Sequence, residues 1–190
     1  MIGTKMNHME QKILETLVLD KDHPRSIAKK LNTNHTKVIR LLRELYNANI
    51  VDFKIHGKNK VYHLKDNIIT RKKILALEQY KFEKLVRKYP ELVSLITEIL
   101  NVTKSIVILF GSYAKLRVKK ESDIDLYVDT NKRDLRRRIE EVNSRLSVKI
   151  GRFDKKTPLG KEIVKNHIML RGAEQFYEKY KIFEEIAFGE

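Results

Sequence analysis

A glycine–serine pair and a pair of aspartates are the residues of this sequence best suited to phosphate and metal chemistry. Ten residues separate Gly111-Ser112 from Asp123-Ile124-Asp125. Glycine lets the chain turn sharply and lets a phosphate approach the backbone. Ser112 offers a hydroxyl and an amide at the start of a predicted helix, where anions are favoured. Asp123 and Asp125 lie at i and i+2 of a predicted strand, so their carboxylates point to one face.

Two neighbouring carboxylates repel each other unless a cation lies between them. Mg²⁺ takes one or two carboxylates together with the oxygens of a triphosphate. Such a metal clamps the phosphates and orients an attacking oxygen. The four residues therefore predict a site for Mg²⁺ and a nucleoside triphosphate, in the layout that nucleotidyl transfer needs.

Residues 103–190, which must position the four site residues, alternate between the sequence patterns of strands and of helices. Ser105–Phe110 is a short, continuous apolar run, which is typical of a buried strand. Further strands are predicted at 123–128 and 147–153, and helices at 133–146, 162–167 and 174–186. Strands that alternate with helices predict a small α/β domain over residues 103–190.

The first part of the chain has a different pattern. Apolar residues recur at helical spacing in a first helix, and shorter helices are predicted at 26–31 and 35–47, the last with Asn34 as N-cap. Two runs that alternate in polarity follow, joined by a turn at His56–Asn59. Three helices and a hairpin are predicted to form one domain over residues 1–66.

Residues 67–102 are predicted to be helical and to connect the two domains. Asn67 suits the cap of a long helix, and Pro90 suits the first turn of another. These helices have more apolar surface than one small neighbour would cover. Two interpretations remain open, because the segment can dock the domains together or pair two copies of the chain in a homodimer.

The composition limits the classes of function. The chain has 190 residues, 40 Lys and Arg against 25 Asp and Glu, and a net charge of +15. Such an excess attracts nucleic acid, nucleotide phosphates or an acidic protein, although it can also serve solubility. The absence of cysteine excludes disulfides, thiolate metal sites and cysteine nucleophiles. No apolar run approaches the roughly 18–20 residues of a membrane span, so no membrane partner is predicted. The N-terminus has no secretory signal, so we expect a cytoplasmic protein.

Residues 9–66 resemble winged helix-turn-helix DNA-binding proteins. The segment SIAKKLNTNHTKVIRLLREL has the short helix, polar turn and Val–Leu–Leu helix of that motif. The resemblance implies that the third helix lies in the major groove of DNA and that the hairpin contacts phosphate or the minor groove. The implied DNA-binding residues are His35, Thr36, Lys37, Arg40, Lys54, Lys58 and Lys60. A winged helix can also serve as a protein-docking module, and that alternative stays open.

The segment FGSYAKLRVKKESDIDLYV resembles the signature of the minimal nucleotidyltransferases of the DNA polymerase β-like superfamily. The resemblance covers about residues 100–185. It implies that Gly111 and Ser112 hold the β- and γ-phosphates of a nucleoside triphosphate, which we expect to be ATP, and that Asp123 and Asp125 bind Mg²⁺. Lys115 and Ser122 are the further nucleotide-binding residues. Members of the family transfer a nucleoside monophosphate to a hydroxyl and release pyrophosphate, and some minimal members are antitoxins that modify a HEPN toxin.

Three positions depart from the family pattern. Leu116 stands where many members have glycine, and Lys115 stands where many have arginine. Active members usually have a third carboxylate on the next strand, but residues 147–153 contain no acid, and Lys149 falls on the face where the acid would lie. Asp154 follows directly and is the remaining candidate for that catalytic role.

These inferences define a two-domain α+β or α/β protein. We expect an N-terminal winged helix, a helical linker, and a C-terminal nucleotidyltransferase-fold mixed sheet flanked by helices. The expected function is DNA binding combined with Mg²⁺-dependent transfer of a nucleoside monophosphate to a hydroxyl. The alternatives are a non-catalytic transcription regulator with a degenerate nucleotide site, and an antitoxin-like partner of a HEPN toxin.

Overall fold

The structure, a computed structural model, describes residues 7–119 and 122–180 and divides the chain into two compact units. Within these residues the first unit ends at Leu77, and the second comprises Glu78–Tyr180. The helices of the first unit are α1 (His8–Leu19), α2 (Pro24–Lys30) and α3 (His35–Asn47), and its strands are β1 (Val51–His56) and β2 (Asn59–Leu64). The long helix α4 (Ile68–Lys88) belongs to both units.

Side-chain caps explain where the first three helices begin. Asn7 accepts a hydrogen bond from the Met9 amide, and Asn34 accepts one from the Thr36 amide, so the predicted cap of α3 is confirmed. His23 caps α2 through its ring nitrogen, and Pro24 occupies the first turn, where its missing N–H costs nothing. The helices therefore start where the sequence predicts, within one or two residues.

The first unit packs its helices and hairpin around one apolar core. Ile13, Leu17, Ile27, Val38 and Leu42 are almost fully buried. Strands β1 and β2 pair antiparallel, from Val51 opposite Leu64 to His56 opposite Asn59. A single bridge between Asp22 and Tyr62 joins the hairpin to the segment before α2. The predicted order of three helices and a hairpin is thus observed.

The second unit contains a four-stranded mixed sheet. Helix α5 (Leu92–Val102) leads to β3 (Ile106–Leu109), the single-turn helix α6 (Gly111–Ala114) and β4 (Ile124–Asp129). The remaining elements are α7 (Arg133–Glu140), β5 (Leu146–Gly151), α8 (Pro158–Lys165), β6 (Ile168–Arg171) and α9 (Ala173–Lys179). The strand order is β5-β4-β3-β6, with β4 and β5 parallel and the other two pairs antiparallel. The predicted mixed sheet flanked by helices is confirmed.

Several elements of the second unit differ from the sequence-based prediction, and β5 ends at Gly151 rather than at 153. Helix α7 ends at Glu140 rather than at 146, because residues 141–145 form turns that Asn143 closes by accepting from the Arg145 amide. Residues 168–171 form an edge strand that was not predicted, and α8 begins earlier than expected. The predicted last helix is observed to Lys179, and its predicted end at 186 lies outside the described residues.

The two faces of the sheet bury different kinds of side chain. Val107, Leu126, Val128 and Val148 belong to an apolar cluster that also holds the buried residues of α5 and α7. Alternate residues of β4 point to the opposite face, where Tyr127 contacts the ring of Phe153. The candidate aspartates lie at the start of this second face. Among the residues that the structure describes, no helix is long and apolar enough to cross a bilayer.

Candidate functional site

The glycine–serine turn and the second aspartate are in direct contact. Gly111 has a φ of +69°, a left-handed conformation that favours glycine. A Cβ at this position would overlap the Asp125 carboxylate. The Phe110 amide also donates to the Asp125 carbonyl oxygen at 3.0 Å. The turn and Asp125 therefore lie close together as predicted, and this proximity depends on the missing side chain of Gly111.

The helix after the turn is too short to add much through its dipole. Helix α6 spans only Gly111–Ala114, whereas a macrodipole grows with the number of aligned peptides. Any anion at this turn would rely mainly on individual amides and on the Ser112 hydroxyl. The start of α6 therefore attracts a phosphate less strongly than the sequence led us to expect.

Charge accumulates around Asp125. Its pKa lies above the ordinary value because the carboxylate is partly buried, and the negative charges of Asp123 and Glu162 add to the effect. Lys149 and Lys115 act in the opposite direction. A cation beside Asp123 and Asp125 would relieve this repulsion. No group of three His, Cys, Asp or Glu residues suited to a metal is found in the described part of the chain. Two carboxylates completed by phosphate and water oxygens nevertheless form a donor set that Mg²⁺ accepts.

The register of β4 and β5 shows which side chains β5 brings to the face of the aspartates, where a third carboxylate would be expected. Asp125 lies opposite Ser147, Tyr127 opposite Lys149, and Asp129 opposite Gly151. Lys149 is exposed and lies close enough for its charge to act on Asp125. Strand β5 therefore brings an ammonium group, and no carboxylate, to the face of the aspartates.

Asp154 and Ser122 both make local contacts in the structure. The Asp154 carboxylate accepts from the Lys156 amide at 2.8 Å, in the loop that leads to α8. The Ser122 hydroxyl accepts from the Lys119 amide at 3.0 Å and closes the loop before the aspartates. These bonds shape the two loops. A catalytic role for Asp154 and a nucleotide contact of Ser122 remain predictions.

Lys115 is paired with an acid that sequence reasoning did not identify. Its ammonium group lies 2.9 Å from Glu162 Oε1, on α8. The two residues are 47 positions apart, so no local pattern connects them. Arg145 was also missed. It donates to the Tyr113 hydroxyl and to the Ser122 carbonyl oxygen, and its own carbonyl accepts from the Ile124 amide. These bonds fasten the start of β4, and with it the two aspartates.

Leu116 adopts a backbone conformation that favours glycine. Many of the nucleotidyltransferases that this segment resembles have glycine at this position. Its φ is +53°, which costs a non-glycine residue about 1–2 kcal/mol. Lys88 Nζ donates to the Leu116 carbonyl oxygen at 2.7 Å, and the Leu116 side chain packs on the apolar cluster of the sheet. Leu116 thus holds a left-handed turn at the expense of strain.

The first unit has a basic cleft between α3 and the hairpin, with a volume of about 540 Å³. Its lining holds four Lys or Arg side chains and no acid. The lining residues are His23, Pro24, Arg25, His35, Ile39, Arg43, Tyr46, Asn47, Phe53, Lys58, Asn59, Lys60 and Tyr62. Of the predicted DNA-binding residues, His35, Lys58 and Lys60 line this cleft. Thr36, Lys37, Arg40 and Lys54 are exposed elsewhere, and Arg40 lies 3.8 Å from Glu44.

Aromatic rings form one wall of this cleft. The ring of Phe53 lies 5.6 Å from Tyr46 and 5.5 Å from Tyr62, and Lys60 Nζ lies 3.9 Å above Phe53. Arg25 and Arg43 were absent from the sequence prediction. Arg43 lies eight residues after His35, so a helical wheel places both on one side of α3, and only the fold shows that this side faces the hairpin.

Comparison with known proteins shows what the second unit is similar to. A family model described as "Polymerase beta, Nucleotidyltransferase" matches residues 95–175, which include the glycine–serine turn, both aspartates and Glu162. The mixed sheet of this region is consistent with a nucleotidyltransferase fold. The match covers less than half of the chain, and residues before 95 lie outside it. No curated protein matches the sequence.

Proposed function

We propose that the second unit binds a nucleoside triphosphate with Mg²⁺ and transfers its nucleoside monophosphate to a hydroxyl. The observation that carries the proposal is the contact of Gly111 with the Asp125 carboxylate, in a region similar to nucleotidyltransferases. This contact brings a turn open to phosphate next to a carboxylate pair suited to a cation. A site for phosphate alone would not need the carboxylate pair, and a site for a cation alone would not need the open turn.

The residues of this chain have separate tasks in the proposed reaction. The Gly111-Ser112 turn binds the β- and γ-phosphates. Asp123 and Asp125 would hold the cation, which would neutralise the phosphates and orient the acceptor oxygen. The acceptor hydroxyl gives up its proton to solvent as its oxygen bonds to the α-phosphorus, the bond from that phosphorus to the bridging oxygen breaks, and pyrophosphate leaves. Arg145 keeps the start of β4 in place through the Ser122 carbonyl.

Lys149 limits the proposed chemistry. An ammonium group close to Asp125 opposes a second cation there and favours the phosphates instead. The site is therefore expected to bind nucleotide well and to transfer slowly. The non-catalytic alternative, a nucleotide-sensing regulator, depends on this same residue.

Substitution of both aspartates tests the proposal. The double variant Asp123→Asn, Asp125→Asn should lose Mg²⁺-dependent ATP binding in calorimetry, and it should lose labelling of cellular acceptors by α-labelled triphosphate. Asp134→Asn, an exposed aspartate of α7, is the matched control. Unchanged binding in the double variant would refute the site. Lost binding without labelling in the wild-type protein would favour the non-catalytic alternative.

We further propose that the first unit is a winged helix that binds DNA through the cleft between α3 and the hairpin. Four cationic side chains around a groove without acids support this proposal, since phosphate contacts dominate the affinity for DNA. Arg25 and Arg43 join the residues predicted from the sequence. The hairpin lysines are then placed to contact the backbone, and the exposed residues of α3 to contact bases.

Two arginine substitutions test this second proposal. Arg25→Ala with Arg43→Ala should lower the affinity for duplex DNA and reduce the slope of log affinity against log salt by about two, since each lost phosphate contact contributes about 0.9. Lys12→Ala with Lys29→Ala removes the same charge outside the cleft and serves as the control. An equal loss in both variants would mean that general charge, and no defined cleft, attracts the DNA.

A further inference from the structure

The ion pair between Lys115 and Glu162 lies directly beside the proposed phosphate site. Lys115 ends the single turn of α6, and its amide donates to the Gly111 carbonyl oxygen. Its side chain therefore starts from the turn that is proposed to hold the β- and γ-phosphates. In the structure its ammonium group is 2.9 Å from Glu162.

Glu162 is held in place by the way α8 begins. Thr157 caps the helix by accepting from the Gly160 amide at 3.0 Å. Gly160 packs so closely on the Asp154 carbonyl that any side chain there would overlap it. Ile163, the next residue after Glu162, is fully buried. The position of the Glu162 backbone is thus fixed, while its carboxylate stays half exposed.

Both partners of the pair act on the same aspartate. The charges of Glu162 and of Lys115 each influence Asp125, which contacts Gly111. A triphosphate bound at this turn would bring several negative charges within reach of Lys115, and it would repel Glu162. An exposed ion pair contributes little stability, so phosphate oxygens can replace the carboxylate as the partner of Lys115.

We propose that Lys115 exchanges Glu162 for the triphosphate when nucleotide binds, so that Glu162 acts as an internal competitor of the phosphates. This inference rests on the nucleotide site proposed above and adds a regulatory contact to it. Glu162 is a positioning residue in the free protein, since it acts through Lys115. Nucleotide binding leaves its carboxylate without Lys115 as a partner, and close enough for its charge to act on Asp125.

A double-mutant cycle on the affinity for Mg²⁺–ATP tests the exchange. Glu162→Gln should tighten binding about two- to fivefold, the range expected for release of an exposed ion pair. Lys115→Met should weaken binding. In the Lys115→Met background, Glu162→Gln should have a clearly smaller effect, because only the direct repulsion between Glu162 and the phosphates remains to be relieved. Equal tightening in both backgrounds would show a long-range charge effect and would overturn the exchange.

Two controls separate this inference from the site on which it rests. Glu141→Gln breaks a similar exposed pair with Arg137 on α7 and should leave the affinity unchanged. AMP, which has no β- and γ-phosphates, should bind the wild-type and Glu162→Gln proteins equally. If the aspartate pair is required for binding but Glu162→Gln changes nothing, the exchange alone is wrong. If the wild-type protein does not bind Mg²⁺–ATP, both proposals are wrong.

Discussion

The two candidate sites differ in what forms them, backbone geometry in the second unit and cationic side chains in the first. The site in the second unit depends on backbone geometry, since the left-handed Gly111 leaves room for the Asp125 carboxylate and hydrogen bonds fasten both ends of the connecting loop. The four cations of the cleft in the first unit are long, exposed side chains on α2, α3 and the hairpin. Fixed geometry suits a reaction or a defined ligand, whereas an array of mobile charges suits a polyanion with repeated phosphates.

Both units have a buried acid, Asp22 in the first and Glu78 in the second, and the more deeply buried Glu78 gives the largest expected effect. Glu78, in the second unit, is almost fully buried and bonded to Lys81 and Tyr177 at 2.7 Å, with His167 at 3.3 Å. Glu78→Gln would remove the negative charge that Lys81 and His167 face inside the protein. We expect a loss of about 3–5 kcal/mol in the free energy of unfolding. Urea titrations at pH 7 measure this loss. A change below about 1 kcal/mol would mean that the network adds little.

Acid should act on the same network. Burial alone would raise the pKa of Glu78, but the charges of Lys81 and His167 outweigh it and hold the pKa below its ordinary value. The stabilisation is therefore complete above the unfolded pKa of about 4.3 and is lost as the pH falls toward the folded pKa. The wild-type protein should lose more stability below pH 4.3 than the Glu78→Gln variant does. Parallel losses would contradict this assignment.

Two glycines offer a direct test of the difference between the sites. Gly111→Ala introduces strain and a clash with Asp125, and should cost about 2–4 kcal/mol of unfolding free energy. Gly57, in the hairpin turn, also has a positive φ, but its surroundings are open. Gly57→Ala should therefore cost only about 1 kcal/mol. Equal costs in chemical denaturation would contradict the view that the proposed nucleotide site is defined by close packing.

The smallest effect is expected at Leu116. Both Leu116→Ala and Leu116→Gly remove the packing of the side chain, but only glycine relieves the left-handed strain. The glycine variant should be more stable than the alanine variant by about 1 kcal/mol, the reverse of the order within a helix. Thermal unfolding of the two variants gives the comparison. The opposite order would show that this turn is not strained.

The sequence predicted the parts of each site that lie close together along the chain. Asp123 and Asp125 follow from strand periodicity, and Lys58 and Lys60 follow from the position of the turn in the hairpin. Partners that the fold brings together from a distance were missed: Glu162 for Lys115, Arg145 for Ser122, and Arg25 for the cleft. Strand β6 escaped prediction because it is only four residues long and is recognisable mainly by its pairing with β3.

The division of the chain inside α4 has a practical consequence for dissecting the protein. A fragment that starts at residue 103 would lack Leu92, Ile96 and Ile99 of α5 and Leu85 of α4, all of which are buried in the apolar cluster of the sheet. Such a fragment would expose the apolar face of its sheet to water and would be prone to aggregate. Recombinant pieces intended for nucleotide-binding experiments should therefore begin no later than Glu78, so that the complete hydrophobic layer is retained.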